Sequence, residues 1–373
     1  WIDLTIIVIF LAGFSAFGVW QSRFNKSTED YFLGGRNLPW PVAMLSIVAT
    51  ETSVLTFISV PGLAYRDDWF FLQLAIGYII GRILVSLFLL PQYFKLGVTS
   101  IYEIIGHKFG LDMQKVASGL FLITRILADG IRFLATAVVV QVITGWSLSS
   151  AVIIIGAVTL VYTLSGGIRT VVWVDSIQFI LYLFGGIASI IIVLNHLDQS
   201  LFEAIPILAE QGKLAIFNLE GNIIKDPYYF ISAIVGGAIL SFSSHGVDYM
   251  MVQRVLGTKN LTAARKAMVG SGLFVFLQFG IFLLAGSLIY LLMGGVEVER
   301  DREFTSFIVN YLPIGLKGVI LAGVLSAAMS TLSSSINSLA SSTVTDWLSK
   351  NQSMRKSQLV SLIWGIILIA IAI

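Results

Sequence analysis

Ten long apolar stretches, separated by short polar segments, dominate this chain. Each is long enough to cross the hydrocarbon core of a bilayer as a helix. Hydrophobic residues make up 57% of the chain and charged residues 12%, whereas soluble domains carry about a quarter charged residues. The stretches cover residues 2–20, 40–64, 69–94, 114–144, 148–165, 171–195, 229–256, 268–293, 315–348 and 357–373. The sequence therefore predicts an all-α polytopic membrane protein.

The distribution of Lys and Arg predicts how these helices are oriented. If the N-terminus lies outside, fourteen of the 23 basic residues fall in inner loops, six in outer loops and three within spans. Arg254 counts here as an inner-loop residue. The positive-inside rule thus predicts an external N-terminus. We expect the membrane to be the plasma (inner) membrane. Because the chain starts at Trp1 and stops within an apolar stretch, we expect it to be a fragment of a longer protein.

One apolar stretch carries a stripe of polar side chains. No residue between Lys317 and Asp346 is charged, yet polar groups recur there at helical spacing. The members of this stripe are Ser326, Ser330, Ser333, Ser334 and Asn337. Lipid offers such groups no partner, so they must face protein, water or an ion. Neutral oxygens suit a monovalent cation such as sodium; close helix packing through small residues is the alternative.

Two apolar stretches, five spans apart, are interrupted by polar residues. Glu51 and neighbouring hydroxyls interrupt the second stretch, and residues 241–248, which include His245 and Asp248, interrupt the seventh. Paired broken helices are typical of inverted-repeat transporters, which bind substrate and coupling ion near the bilayer midplane. Alternatively, the helix is intact and Glu51 pairs with a buried cation, while His245 bonds within the bundle. The candidate cations are Arg82, Arg125 and Arg132.

Charged residues within two further spans also need partners. Arg125, Asp129 and Arg132 share one face of the fourth span, since their spacings are i, i+4 and i+7. A structural Arg125–Asp129 pair would leave Arg132 able to meet Glu51 or an anionic group on a substrate. In the sixth span, Asp175 either pairs with Arg169 or binds a cation.

Six short motifs, in their order and spacing, resemble those of the sodium/solute symporter family. They are DYFLGGR at 30–36, GVTSIYE at 97–103, GGI at 166–168, WVD at 173–175, VQR at 252–254 and the serine-rich run at 326–338. The family includes sodium/glucose, sodium/galactose, iodide and sialic acid transporters. The resemblance implies a five-plus-five inverted-repeat fold with one extra N-terminal helix. Residues 1–20 would form that helix, 40–195 the first repeat and 229–373 a C-terminally incomplete second repeat.

The resemblance also implies where one or two sodium ions and a solute bind. The first sodium site would use carbonyls of Ala49, Thr52 and Ala327 with hydroxyls of Ser330 and Thr331. A second sodium site would use Asp175, Ser330, Ser333 and Ser334. The solute cavity would be lined by Thr50, Glu51, Ser53, Thr56, Gln73, Arg125, Asp129, Arg132, Ser243, Ser244, His245 and Asp248.

We therefore predict a sodium-coupled symporter that imports a small polar organic solute, such as a sugar or sugar acid, by alternating access. Its partners would be sodium, the solute and the bilayer, without nucleic acid, and it would work as a monomer. A proton-coupled carrier titrating Glu51 or Asp175 is one alternative, and a channel or sensor module is another. A membrane enzyme has little support, because the chain has no Cys and only three His, none at metal-ligand spacing.

Overall fold

The structure, a computed structural model, describes residues 1–348 and 352–373, and its regular elements in these ranges are helices. The first half of the chain forms α1 Ile2–Gln21, α2 Thr28–Leu33, α3 Trp40–Glu51, α4 Val54–Arg66, α5 Phe71–Leu84, α6 Leu90–Leu96, α7 Glu103–Phe109 and α8 Leu111–Thr144. The second half forms α9 Leu148–Leu197, α10 Leu201–Glu210, α11 Phe230–Gly246, α12 Tyr249–Leu256, α13 Leu261–Met293, α14 Glu303–Tyr311, α15 Leu316–Ser342 and α16 Met354–Ala372. Two π-helical segments, Val85–Leu89 and Thr343–Leu348, extend α5 and α15.

All ten apolar stretches lie on these helices, which confirms the predicted all-α membrane architecture. Within the described residues, six helices are long and apolar enough to cross a membrane, and two bent helix pairs raise this number to eight. The bent pairs are α3 with α4, at 66°, and α11 with α12, at 63°. Both predicted interruptions are therefore real breaks. The repeat boundaries, 40–195 and 229–373, remain a prediction.

The fifth and sixth predicted spans form one element, α9, which turns sharply at Gly167. This glycine has φ 58° and ψ −159°, a conformation that residues with a Cβ rarely adopt. A Cβ at this position would also lie 2.5 Å from the carbonyl oxygen of Tyr31. The GGI motif thus allows two spans to follow one another without a loop.

Glycines also bring the third and seventh spans into backbone contact. A Cβ on Gly77 would lie 2.4 Å from the Ile234 carbonyl oxygen, and one on Gly81 would lie 2.4 Å from that of Ala238. Small residues permit such close approach between membrane helices, where dispersion contacts replace the hydrophobic effect. This packing fixes α5 beside α11, so that Tyr78 of α5 and Ser241, Ser244 and His245 of α11 line a common space.

The helix with the polar stripe, α15, is the most enclosed span. Every residue from Ile320 to Ser342 is buried, so the stripe does not face lipid. Its hydroxyl groups meet other helices as well as their own backbone. Ser335 Oγ, for example, donates to Asp129 on α8 and to the Thr331 carbonyl, 2.9 Å away. The protein interior therefore contains a polar column built around α15.

Candidate functional site

The break in the second span lies at Thr52 and Ser53. Helical hydrogen bonding ends where the Thr52 amide donates to the Val48 carbonyl at 3.0 Å. It resumes where the Phe57 amide donates to the Ser53 carbonyl at 3.1 Å. Thr52 and Ser53 are both extended, with ψ of 98° and 168°. The carbonyls of Ala49 and Thr52 thus lie past the end of the helical ladder and need other partners.

Four of the five residues predicted for the first sodium site surround one small cavity. Ala49, Thr52, Ala327 and Ser330 line it, together with Gln178, Phe179 and Tyr182. Its volume is about 10 Å³, enough for a single small particle. At this cavity α15 lies against the break between α3 and α4. The polar stripe and the interruption of the second span would thus share one site.

The hydroxyls of this group differ in their hydrogen bonding. Thr331 Oγ1 donates to the Ala327 carbonyl at 3.3 Å. The buried Ser330 Oγ has no hydrogen-bond partner among the described residues, although it interacts with the nearby Asp175 carboxylate. Within the same residues, no group of three or more His, Asp or Glu side chains could hold a metal ion. The described residues that line the cavity are all uncharged, so the oxygens they offer are neutral and suit a monovalent cation better than a multivalent one.

Asp175 pairs with Arg254 and not with Arg169. The carboxylate Oδ2 lies 3.1 Å from Arg254 Nη2, and neither side chain is exposed. Arg169 instead lies over the ring of Phe24, at 4.9 Å. Of the two alternatives for Asp175, the pairing with Arg169 is thus wrong. Counting Arg254 as an inner-loop residue is also wrong, because it is buried within α12.

Arg254 lies at the centre of a network that contains part of the predicted second sodium site. Its guanidinium donates to Ser46 Oγ at 2.7 Å, to Thr50 Oγ1 at 2.7 Å and to Ser334 Oγ. Ser333 and Ser334 each donate to the Ser330 carbonyl, at 3.1 and 2.7 Å. The structure therefore brings Asp175, Ser330, Ser333 and Ser334 together, and the positively charged guanidinium of Arg254 lies beside them.

A second, larger cavity contains half of the predicted solute-binding residues. The predicted residues that line it are Glu51, Arg125, Arg132, Ser244, His245 and Asp248. Its volume is about 210 Å³, and Tyr78, Met250 and Met251 complete much of the apolar wall. Polar groups converging in a partly apolar cavity are typical of small-molecule sites.

Most charges in this cavity are paired. Glu51 forms an ion pair with the buried Arg82, and His245 Nε2 lies 3.6 Å from the same carboxylate. Arg125 contacts Asp248 and, at 3.3 Å, Asp129. Among the candidate partners of Glu51, the structure thus selects Arg82.

Arg132 is the least engaged of these cations. It lies 3.6 Å from Asp129 Oδ1, its side chain is 36% exposed, and Asp129 also accepts from Arg125 and Ser335. Asp129 therefore lies behind the cavity and positions both arginines.

The remaining predicted solute residues lie apart from the cavity wall. Thr50 is part of the Arg254 network, and Ser53 and Thr56 contact each other at the helix break, at 3.3 Å. Gln73 donates to the carbonyls of Phe70 and Tyr228, so it anchors the segment before α11. Ser243 is on an exposed face of α11. For these residues a role in solute binding stays a prediction.

Sequence reasoning missed several buried polar residues that position this site. Gln278 exchanges hydrogen bonds with the Thr52 hydroxyl, at 3.0 and 3.2 Å, and thereby holds the helix break. Arg82 was named only as one possible partner of Glu51, and Arg254 only as a motif residue and as a basic residue of an inner loop. A signal was present in each case, because an isolated polar or charged residue within an apolar span is expected to be functional or paired.

The model of the sodium:solute symporter family matches residues 31–373. The chain belongs to this family. It is thus an integral, multi-pass membrane protein and a sodium-coupled solute symporter, with sodium as its coupling ion. The proton-coupled alternative is not supported by this membership.

Individual relatives of this symporter agree with the family assignment. It is 26% identical over 96% of its length to the sodium/sialic acid symporter NanT of Aliivibrio fischeri, of which it covers 73%. It is 28% identical over 93% of its length to human sodium-coupled monocarboxylate transporter 1, of which it covers 59%. A solved Na⁺-coupled sialic acid symporter, in a substrate-bound outward-open state, is 26% identical and superposes with a TM-score of 0.91. That match covers 100% of this chain and 82% of the solved one, and it confirms the five-plus-five fold with an extra helix.

Proposed function

We propose that this symporter imports a small organic anion of the sugar-acid class together with sodium. The cavity beside the two helix breaks would bind the solute, and the smaller cavity at Thr52 would bind the ion. Arg132 carries this proposal, because it is the cation whose charge the surrounding carboxylates satisfy least.

The balance of charge favours an anionic solute. Three arginines and three carboxylates lie in or directly behind the cavity, so they balance if His245 is neutral. The groups are Arg82, Arg125, Arg132, Glu51, Asp129 and Asp248. A sodium ion nearby adds one positive charge, and a carboxylate on the solute would compensate it. Since uncompensated charge in a low-dielectric interior is costly, ion and anion would stabilise each other's binding.

The relatives and the cavity wall narrow the solute class. Two of the matched proteins carry sialic acid and another carries monocarboxylates, and all of these solutes bear a carboxylate. The wall of this cavity also has hydrogen-bonding groups suited to hydroxyls, from Ser244, His245 and Tyr78. Ser244 Oγ and His245 Nδ1 bond to each other at 2.8 Å, while His245 Nε2 has no hydrogen-bond partner among the described residues. A polyhydroxylated acid would offer hydroxyls to these groups, whereas a short aliphatic acid has none to offer.

Sodium at the first site would couple the break to α15. The proposed ligands are the carbonyls of Ala49, Thr52 and Ala327 and the hydroxyls of Ser330 and Thr331. Because these ligands belong to two separate spans, binding would hold the spans together and favour one conformation of the alternating-access cycle. Release of sodium would then loosen the break between α3 and α4, and α3 also lines the solute cavity through Glu51.

We also retain the second sodium site as a proposal, with Asp175, Ser330, Ser333 and Ser334 as ligands. Arg254 already neutralises Asp175 here. A second ion would therefore have to share the carboxylate with this guanidinium or displace it. We further propose an external N-terminus, location in the inner membrane, function as a monomer and no enzymatic activity.

Uptake into proteoliposomes tests the proposed solute class. The purified protein would be supplied with an inward sodium gradient and one of three labelled solutes: sialic acid, its methyl ester or glucose. We expect accumulation of the acid alone, and only with sodium. Equal uptake of the ester or of glucose would overturn the assignment of an anionic solute.

A further inference from the structure

A groove on the surface of the protein separates the end of the fifth span from the start of α16. Its volume is about 400 Å³. One wall belongs to α9 and the other to α16, and the lining residues are Leu164, Ser165, Arg355, Gln358, Leu359 and Leu362. None of them belongs to the proposed sodium sites or to the solute cavity, so the groove needs an explanation of its own.

Hydrogen bonds hold the α9 wall of this groove in place. The fifth span ends at the turn at Gly167, so the carbonyls of its last turn need partners outside their own helix. Gln358 Nε2 donates to the Leu164 carbonyl at 3.0 Å, and Asn25 Nδ2 donates to the Ser165 carbonyl at 3.2 Å. Because the first of these bonds joins the two walls, the groove is preformed.

The chemical character of the groove changes along α16. Arg355 is in the first turn of this helix and its side chain is exposed. Leu359 and Leu362 follow on the same face, one and two turns further into the span. Leu359 is 55% exposed, so it presents an apolar surface to the bilayer. A cation at the membrane surface, with leucines below it, complements a lipid that has a negative head group and apolar chains.

The positive charge of Arg355 has no protein counter-charge. The first turn of α16 contains no acidic residue, and no Asp or Glu is among the described residues that line the groove. Neither Arg355 nor the neighbouring Lys356 forms an ion pair within the described part of the chain. Basic pockets between membrane helices favour anionic head groups, whereas a zwitterionic head group brings a cation of its own.

We propose that this groove binds one anionic phospholipid. The lipid phosphate accepts hydrogen bonds from the Arg355 guanidinium, and an acyl chain packs on Leu359 and Leu362. With the N-terminus outside, as proposed above, the lipid belongs to the inner leaflet. It contacts both walls, so it joins α16 to the end of the fifth span, just before the turn at Gly167. Lipid binding therefore stabilises the protein without sodium or solute.

Thermal unfolding in a neutral detergent, without sodium or solute, tests this site. The purified protein would be titrated with dioleoyl phosphatidylglycerol and, separately, with dioleoyl phosphatidylcholine, which has the same chains and a zwitterionic head group. We expect only phosphatidylglycerol to raise the melting temperature. In Arg355→Gln, the phosphatidylglycerol concentration at half-maximal stabilisation should rise about five- to tenfold, because the cation that faces the phosphate is removed.

Matched variants separate this groove from general effects of charge. Lys115→Gln removes an exposed cation of α8 that does not line the groove, and it should leave the phosphatidylglycerol titration unchanged. Leu362→Trp fills the apolar part of the groove without changing the charge, so it should weaken lipid binding even if Arg355→Gln does not fold. The sodium midpoint, which is the sodium concentration that gives half-maximal thermal stabilisation without solute, should be the same in Arg355→Gln and the unaltered protein.

Three results would overturn the proposal. The first is equal stabilisation by the two lipids, or stabilisation by neither. The second is an unchanged phosphatidylglycerol titration in both groove variants. The third is stabilisation by glycerol 3-phosphate at the same concentrations, because this compound has the phosphate ester without the acyl chains and would identify a site for a free anion.

Discussion

Arg254 and Asp175 form an ion pair of 3.1 Å in which neither side chain is exposed to solvent. The two residues come from α12 and α9, and Arg254 also donates to hydroxyls on α3 and α15. Four spans are therefore joined by one guanidinium. Because the seventh span contributes Arg254 just after its break, any movement of α12 must alter this network.

The first prediction concerns the energetic coupling of this pair. Asp175→Asn leaves the buried guanidinium without its carboxylate, and loss of one partner from a buried pair costs about 3–5 kcal/mol. Removing both charges, in Asp175→Asn with Arg254→Met, should cost less than the sum of the two single changes. Thermal unfolding of the four proteins in sodium-free buffer measures this coupling.

An exposed pair provides the matched control. Arg302 lies 3.1 Å from Glu299, but their side chains are 58% and 70% exposed. Removing either charge there should change the melting temperature little, because exposed pairs contribute only about 0–1 kcal/mol. Strictly additive effects at Asp175 and Arg254 would contradict the predicted coupling.

A second prediction addresses sodium at Asp175. If a second ion binds there, Asp175→Asn should lower the Hill coefficient for sodium-driven uptake towards one, or raise the sodium concentration needed for half-maximal uptake. Initial uptake rates across a sodium titration provide the measurement. An unaltered titration would leave Asp175 as the structural partner of Arg254 only.

The third prediction concerns the first sodium site. Ser330→Ala with Thr331→Val removes two hydroxyl oxygens and keeps similar side-chain volumes, so sodium-stimulated uptake should be lost while the protein still folds. Ser189→Ala is a matched control, since this buried serine on α9 donates to its own helix, at Gly185. Unchanged sodium dependence in the double variant would count decisively against the site.

Sequence patterns located the spans and both helix breaks for clear physical reasons. A helix that crosses a bilayer must be apolar over about 20 residues, so the spans can be recognised from local hydrophobicity alone. A polar cluster inside such a stretch cannot face lipid, and Glu51 and His245 therefore marked the breaks. The hydroxyls of α15 were found by their helical spacing alone.

The ion-pair and hydrogen-bond partners of buried polar residues could not be predicted from the sequence in the same way. Asp175 is six residues from Arg169 but pairs with Arg254, which lies 79 positions later in the chain. Similarly, Gln73 is a polar residue within an apolar span, as a cavity residue would be. Its side chain nevertheless donates to the backbone carbonyls of Phe70 and Tyr228. Such pairings depend on how helices rotate against each other, and that rotation is set by local packing, such as the glycine contacts between α5 and α11.

The fourth prediction is that Arg132 recognises the solute anion. Arg132→Gln should raise KM for the anionic solute about 10–100-fold, because charge-assisted hydrogen bonds contribute roughly 1.5–3 kcal/mol. The sodium midpoint measured without solute should not change. Arg169→Gln, at a residue that lies over the Phe24 ring, is the matched control and should transport normally. An equal effect of the two substitutions would argue against a specific role for Arg132.

The last prediction concerns Gly167, where α9 turns between the fifth and sixth spans. Gly167→Ala should reduce the folded yield and lower the melting temperature, since a strained backbone conformation costs about 1–3 kcal/mol and the new Cβ would lie 2.5 Å from the Tyr31 carbonyl oxygen. Gly236→Ala is the matched control, because this helical glycine on α11 has no atom within 4 Å of an added Cβ. There the substitution should be neutral or slightly stabilising, as alanine is the better helix former. Size-exclusion profiles and thermal unfolding in detergent compare the two variants. If both glycines tolerate alanine equally, then α9 does not depend on the positive φ of Gly167, and the GGI motif must serve another purpose.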